Sequence, residues 1–335
     1  LHSNTTGFEN TAIGVQSLHS NTTGFSNIAL GSYALNANTT GYSNTALGLD
    51  ALAFNTTGYN NTVSGRNAMN FNTTGHSNTA SGYQALSNNT TGHSNTASGY
   101  EALYSNTIGT NNTAFGHFAL YSNETGNANV AIGRNALYNT TGNNNTAIGW
   151  SADVASGVNY STAIGESAVV SAGDHVVLGN TWTLNIGGYQ NWSNLSDIRF
   201  KKDVQLQTHG LDFIMKLEPI TYRLDTDKIE AFSNTIRGGE KREVEPYRKA
   251  AKEGILQSGF SAQQVEQAAT EVGYDFSGVK KPANENSHYS IAYAEFVVPL
   301  VKAVQQQQEL IQAQQQAIES LQRELQELKE FLKDK

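Results

Sequence analysis

Asn38-Thr39-Thr40-Gly41-Tyr42-Ser43-Asn44-Thr45-Ala46-Leu47-Gly48-Leu49-Asp50-Ala51-Leu52-Ala53-Phe54 is one copy of a unit that begins again at Asn55. Outward from it, a glycine returns every 17 residues, at Gly7, Gly24, Gly41, Gly58, Gly75, Gly92, Gly109 and Gly126. A second comb runs seven residues behind the first, from Gly14 to Gly133. One unit this short cannot bury a core, so a strict period of this length means a stacked array.

Within each unit lies a short β-prone stretch, such as Asn10-Thr11-Ala12-Ile13 or Asn129-Val130-Ala131-Ile132. A second apolar stretch is the Ala-Leu pair, as in Ala34-Leu35 and Ala102-Leu103. Two short strands and two glycine turns per unit predict one coil of a β-solenoid, each glycine supplying a positive φ or a close approach. No unit carries apolar residues at helical spacing, which excludes a helical solenoid. Proline is absent before Pro219, which excludes a proline-rich rod.

Strand alternation separates the Thr/Val and Ile/Leu positions from Ala. The expectation is that the Ile/Leu column faces inward. Ser64, Ser81 and Ser98 would then dilute the core, so three chains are expected to share it. Asn recurs at both turn entries, from Asn4 to Asn139 and from Asn10 to Asn145, where stacking would align the amides into ladders. The period then shortens, from Gly133 to Gly149, Gly165 and Gly179, as terminal coils do before a change of fold.

Charge divides the 335 residues near position 180. Residues 1–180 contain only Arg66 and Arg134 as basic residues against seven acidic ones, and the remainder holds the other 19 basic and 22 acidic residues. A net charge of −8 argues against a nucleic-acid partner. Without cysteine there is no disulfide framework or thiolate metal site, and no metal or cofactor is expected. No apolar run approaches a membrane span, so no membrane insertion is expected. The chain starts without Met, in mid-repeat at Leu1, and reads as the distal end of something longer.

The residue after the first glycine is Phe8, Phe25, Tyr42, Tyr59, His76 and His93 in successive units. Such a column stabilises stacked coils or subunit contacts; its functional counterpart is a surface for a host glycan or receptor. Tyr104, Tyr121 and Tyr138 form a similar column. Glu9, Asp50, Glu101 and Glu124 are scattered singly, which disfavours a paired-carboxylate glycosidase in the array.

After the array comes Ser196-Asp197-Ile198-Arg199-Phe200-Lys201-Lys202-Asp203. Ser196 and Asp197 read locally as a cap for a short helical turn. A serine can also be a nucleophile when a lysine serves as its base, and Lys201 lies five residues on. Residues 225–258 carry dense mixed charge and read as a solvated loop or hairpin, the alternative being an arm that grips the fibre. From Val297 a heptad appears, with Val304, Ile311, Ile318, Leu325 and Leu332 in one seam position and Leu300, Leu321 and Leu328 in the other, which favours a trimeric coiled coil.

Two resemblances follow from these residues. Asn145–Gly149, Ser161–Gly165 and His175–Gly179 resemble the head repeats of trimeric autotransporter adhesins and the shafts of phage tail fibres. The Ser-Asp-x-Arg-x-Lys-x-Asp run, together with Leu217–Arg223, Gly259–Glu266 and Tyr289–Leu300, resembles the endosialidase-type C-terminal intramolecular chaperone family over residues 196–304. That resemblance implies a homotrimer whose chaperone domain aids folding and then cuts itself off. Ser196 would be the nucleophile and Lys201 the base of a single-turnover serine peptidase. The cut would fall between Leu195 and Ser196, with Asp197 and Arg199 in support.

The expected organisation is therefore a β-solenoid over 1–180, a neck and cleavage junction over 181–195, an α+β chaperone domain over 196–296 and a coiled-coil helix over 297–335. The expected function is that of a structural attachment fibre, on a virion tail or a cell surface. The alternative is a bacterial surface adhesin whose C-terminal domain is a permanent trimerisation cap.

Overall fold

In the computed structural model, residues 1–187, 193–236, 245–285 and 287–333 are described. Eleven three-residue strands form one parallel sheet in strict chain order, from Thr11–Ile13 through Thr45–Leu47 to Val176–Leu178. Thr45 pairs with Thr62, and Ala46 with Val63, so each coil lies one 17-residue repeat from the next. The offset falls to 16 between Val130 and Thr146 and to 14 between Thr162 and Val176, with the register kept. At the ~4.8 Å spacing of paired strands, eleven strands extend the sheet about 48 Å.

The core reverses the expected strand orientation. The middle residue of the strand, usually Ala, points inward: Ala29, Ala46, Val63, Ala97 and Ala131 are fully buried. The Ile/Leu column points outward, with Ile13 60% and Ile132 40% exposed. The second apolar stretch is a run of turns, not a strand. It places Ala51 and Leu52 at zero exposure, and Leu52 reaches the core with φ of 54°. Leu18, Leu35, Leu86, Leu103, Leu120 and Leu137 repeat this arrangement. A left-handed φ costs roughly 1–2 kcal/mol for an L-residue, and burial of a leucine offsets it by about 1.5–3 kcal/mol.

Each coil therefore closes a core of its own. An Ala, an Ala-Leu pair and two Asn side chains per coil suffice because the coil is narrow. Ser64, Ser81 and Ser98 are tolerated because they lie on the outside.

Two amide ladders run through the interior. Asn55 Nδ2 donates to Asn38 Oδ1 at 2.8 Å and to its own coil's Gly58 oxygen at 3.0 Å. Asn61 Nδ2 donates to Asn44 Oδ1 at 3.0 Å and to the Gly75 oxygen at 3.0 Å. Both columns are buried, and a buried amide is stable only with such partners.

The glycine combs have different reasons. Gly24 leaves no room for a Cβ, which would collide with the Gly41 oxygen and lie 2.8 Å from Asn38 Nδ2. Gly48 has φ of 131°, and a Cβ there would also lie 2.7 Å from the Gly65 oxygen.

Five α-helices occur among the described residues: α1 Leu211–Ile214, α2 Thr226–Ile236, α3 Pro246–Gly254, α4 Ala262–Glu271 and α5 Val297–Lys333. The chain forms two units, Leu1–Gly187 with Leu224–Glu253, and Gly188–Arg223 with Gly254–Lys335. The charged stretch thus belongs with the solenoid as two helices, α2 and α3. Its segment 237–244 lies outside the described residues.

The second unit has a small core of Phe213 from α1, Val265, Ala268 and Ala269 from α4, and Phe276 and Phe296. The first turns of α5 dock on α1: Gln306 Oε1 accepts from Leu211 N at 2.7 Å, and Ala303 is buried. From Gln307 to Lys333 every residue of α5 is exposed. No helix among the described residues is long and apolar enough to cross a membrane.

Candidate functional site: the Ser196–Lys201 junction

Ile198–Phe200 is a single 3-10 turn, and the residues on either side of it are extended. Asp197 caps the turn: its Oδ1 accepts from Arg199 N at 2.9 Å. The turn closes through Lys201 N, which donates to the Ile198 oxygen at 3.1 Å. A chain that reverses over five residues brings its two ends together. Lys201 Nζ accordingly donates to Ser196 Oγ at 3.0 Å.

The supporting pair is also assembled. Arg199 Nε lies 2.9 Å and its NH2 2.6 Å from Asp197 Oδ2, a two-pronged contact. The Arg199 guanidinium beside Asp197 holds that carboxyl below its usual range. Asp197 therefore remains an ionised cap, paired with the Arg199 guanidinium. Leu195 is 80% exposed, so the peptide bond preceding Ser196 is accessible. Asn191 and Trp192, just upstream, lie outside the described residues.

Residues 196–274 match the family model of the chaperone of endosialidase. The match begins at Ser196, the residue that the turn joins to Lys201. No curated protein matches the chain. The endosialidase-chaperone match takes in α1 and α4, and the Tyr289–Leu300 motif lies beyond it. A β-solenoid followed by an endosialidase-chaperone segment fits a tail-fibre-like protein.

Residues from all three downstream motifs line one cleft of about 490 Å³: Ile220 and Tyr222, Phe260 to Gln263, and Tyr289 to Ile291 with Tyr293. Tyr293 OH accepts from Phe260 N at 3.2 Å and ties the second motif to the third.

The ring column after the first glycine is a continuous stack. Successive centroids from Phe8 to His93 lie 4.5 to 5.1 Å apart, with the planes within 7° of parallel. Faces stacked on one another are taken up within the ladder, and edges are what it offers to solvent. Tyr104, Tyr121 and Tyr138 stack likewise at 5.3 and 5.1 Å. A third ladder, Tyr83–Tyr100–His117, was legible as a 17-residue recurrence of aromatic residues after the second glycine comb.

Sequence reasoning did not foresee the partners of the charged stretch. Arg248 NH1 lies 3.4 Å from Glu166 Oε2, and Lys252 Nζ donates to the Thr183 oxygen at 2.6 Å. Glu166 lies in the last coils and Thr183 just after the last strand, both within the solenoid unit.

Proposed function

We propose that the chain forms a homotrimeric attachment fibre, of the phage tail-fibre kind, whose C-terminal domain assists assembly and then cleaves itself off between Leu195 and Ser196. The observation that carries this reading is the 3.0 Å contact between Lys201 Nζ and Ser196 Oγ, five residues apart across a capped turn.

Because the nucleophile follows the scissile bond directly, the first step is a shift of the acyl group from nitrogen to oxygen. Neutral Lys201 accepts the Ser196 hydroxyl proton, and Oγ attacks the carbonyl carbon of Leu195. The carbon–nitrogen bond breaks as the proton passes from Lys201 to the departing Ser196 nitrogen. Water then hydrolyses the ester, leaving a carboxylate on Leu195 and restoring the Ser196 hydroxyl. Asp197 and Arg199 position the turn and do not touch the reacting atoms.

Trimer assembly is what the chaperone family implies, and the bare heptad face of α5 supports it. Val304, Ile311, Ile318 and Leu325 are each about half exposed, as seam residues are before partners cover them. Helices α2 and α3, held to the end of the solenoid through Arg248 and Lys252, act as an arm on the fibre end. A folding aid that leaves after assembly makes unfolding hard to reverse, which gives the fibre kinetic stability.

Sedimentation of the folded chain, with N-terminal sequencing of any small fragment, tests the reading. A trimer and a fragment beginning Ser-Asp-Ile-Arg are expected. A stable monomer, or a trimer that stays full length, would count against it; the latter outcome returns the alternative of a permanent cap.

A further inference from the structure

Two apolar surfaces of the second unit lie bare. Residues 202–206, which follow the Ser196–Lys201 turn, belong to no helix or strand and are exposed. Among the described residues no backbone hydrogen bond reaches them. Val204 and Leu206 alternate with Gln205 and Gln207, as in a strand with one apolar face. Leu206 is 93% exposed and Val204 63%. The other surface is on α5, where Val298 and Val301, three residues apart on one side of the helix, are each more than half exposed.

The heptad of α5 relates the two. With Val297 and Val304 at position a and Leu300 at d, Val301 falls at e and Ala303 at g. The g side is already occupied within the chain. Ala303 is buried, and Gln306 clamps loop 208–211 beside it: its Oε1 accepts from Leu211 N at 2.7 Å and its Nε2 donates to the Thr208 oxygen at 3.2 Å. A Cβ on Gly210 would lie 2.7 Å from Ala303 N, so this loop rests directly on the helix. The two valines lie across the seam from it, which is why segment and valines do not meet within one chain. In a parallel coiled coil, however, the g side of one helix faces the e side of the next. The loop thereby carries the bare segment to the e side of a neighbouring copy.

We propose that residues 203–207 of one copy clasp the first turns of α5 in the next copy, seating Val204 and Leu206 on that copy's Val298 and Val301. The inference rests on the trimer reading and adds a segment that crosses between copies. The reach is sufficient: four residues separate Leu206 from Gly210, about 13 Å of extended chain at ~3.3 Å per residue, against ~8–10 Å between packed helix axes. Charge is complementary as well. Asp203 is the only acidic residue between Arg199 and Leu211, and Lys302, next to Val301, is the only charged residue from Val297 to Gln308. Lys201 stands three residues before Val204, so the clasp ties the Ser196–Lys201 turn to the assembled trimer.

The chain has no cysteine, so introduced thiols report on chosen positions. The full chain is made with Leu206→Cys and Val301→Cys together, and as a control with Leu206→Cys and Glu319→Cys. Both pairs follow the Leu195–Ser196 bond, so each pair stays on one fragment whether or not that bond is cut. Each protein is sedimented and then oxidised. A disulfide needs the two Cβ atoms within about 3.5–4.5 Å. The expected result is a trimer in which position 206 of each copy joins 301 of the next, closing a covalent ring of three chains that survives denaturing electrophoresis. The control should give no disulfide. Leu206→Cys alone should lose its maleimide reactivity in the trimer and regain it in urea. A trimer with the 206–301 disulfide inside one chain, with no disulfide, or with a freely reactive thiol at 206 would overturn the inference. Sedimentation as a monomer would overturn it together with the trimer reading, so the two failures are told apart.

Discussion

Asn123 Nδ2 donates to Asn106 Oδ1 at 3.1 Å, and with that bond the first amide ladder ends. The next coil is one residue shorter and places Thr140 at the buried ladder position. Asn123 Oδ1 is left buried with no hydrogen-bond partner. Thr140→Asn would supply the missing donor. Satisfying one buried acceptor is worth about 1 kcal/mol, so the melting temperature of the solenoid should rise by about 2–4 °C, as read by calorimetry.

Mid-ladder substitution should do the reverse. Asn72 Nδ2 donates to Asn55 Oδ1 at 2.7 Å and to the Gly75 oxygen at 3.0 Å, and its Oδ1 accepts from Asn89 Nδ2 at 2.8 Å. Asn72→Ala strands two neighbouring amides and a carbonyl in a buried column, at a cost of about 3 kcal/mol or more. Denaturant unfolding should show a lowered midpoint. An unchanged midpoint would mean that the ladders contribute little.

The ring stack gives the solenoid an acid-sensitive point. Burial pushes the His76 imidazole below its ordinary value, and the His93 ring 4.8 Å away adds to the shift. A histidine depressed in the folded state takes up its proton more readily when unfolded. Its contribution to stability is therefore intact above the ordinary histidine pKa of about 6.5 and declines as pH falls below it. The melting temperature should drop on acidification through that range. His76→Tyr, which continues the column set by Tyr59, should flatten part of the drop.

Asp197 should matter to rate and not to assembly. Asp197→Asn removes the charge that anchors Arg199 and loosens the turn carrying Lys201 toward Ser196. Misplacement on the ångström scale costs on the order of 10- to 100-fold in rate. Cleavage should slow by that much at unchanged sedimentation, whereas Lys201→Ala should stop it.

Much of this was legible in the sequence, for identifiable reasons. The 17-residue comb specified the coil length, and the shortened intervals after Gly133 reappear unchanged as strand offsets. The Asn recurrences became ladders because identical coils stack identical side chains. Strand orientation was not legible. Alternation separates Ala from its neighbours but does not say which set points inward, and Ile and Leu suggested the wrong set. What decides is coil width: a coil this narrow admits Ala on one wall and a leucine in the left-handed region on the other. A left-handed Leu52 has no sequence signature of its own. At the junction, spacing only allowed Ser196 and Lys201 to meet, and the resemblance to the endosialidase-type chaperones gave them their roles, whereas the contacts of Arg248 and Lys252 with the solenoid unit depend on tertiary placement that no local pattern encodes.

The self-cleavage account is tested most directly by the intact mass of folded wild-type chain beside the Ser196→Ala variant. The account predicts two wild-type species, one ending at Leu195 and one beginning at Ser196, and a single full-length mass for the variant. A wild-type chain that folds and keeps its full mass, or a variant that is cut at the same bond, would contradict it.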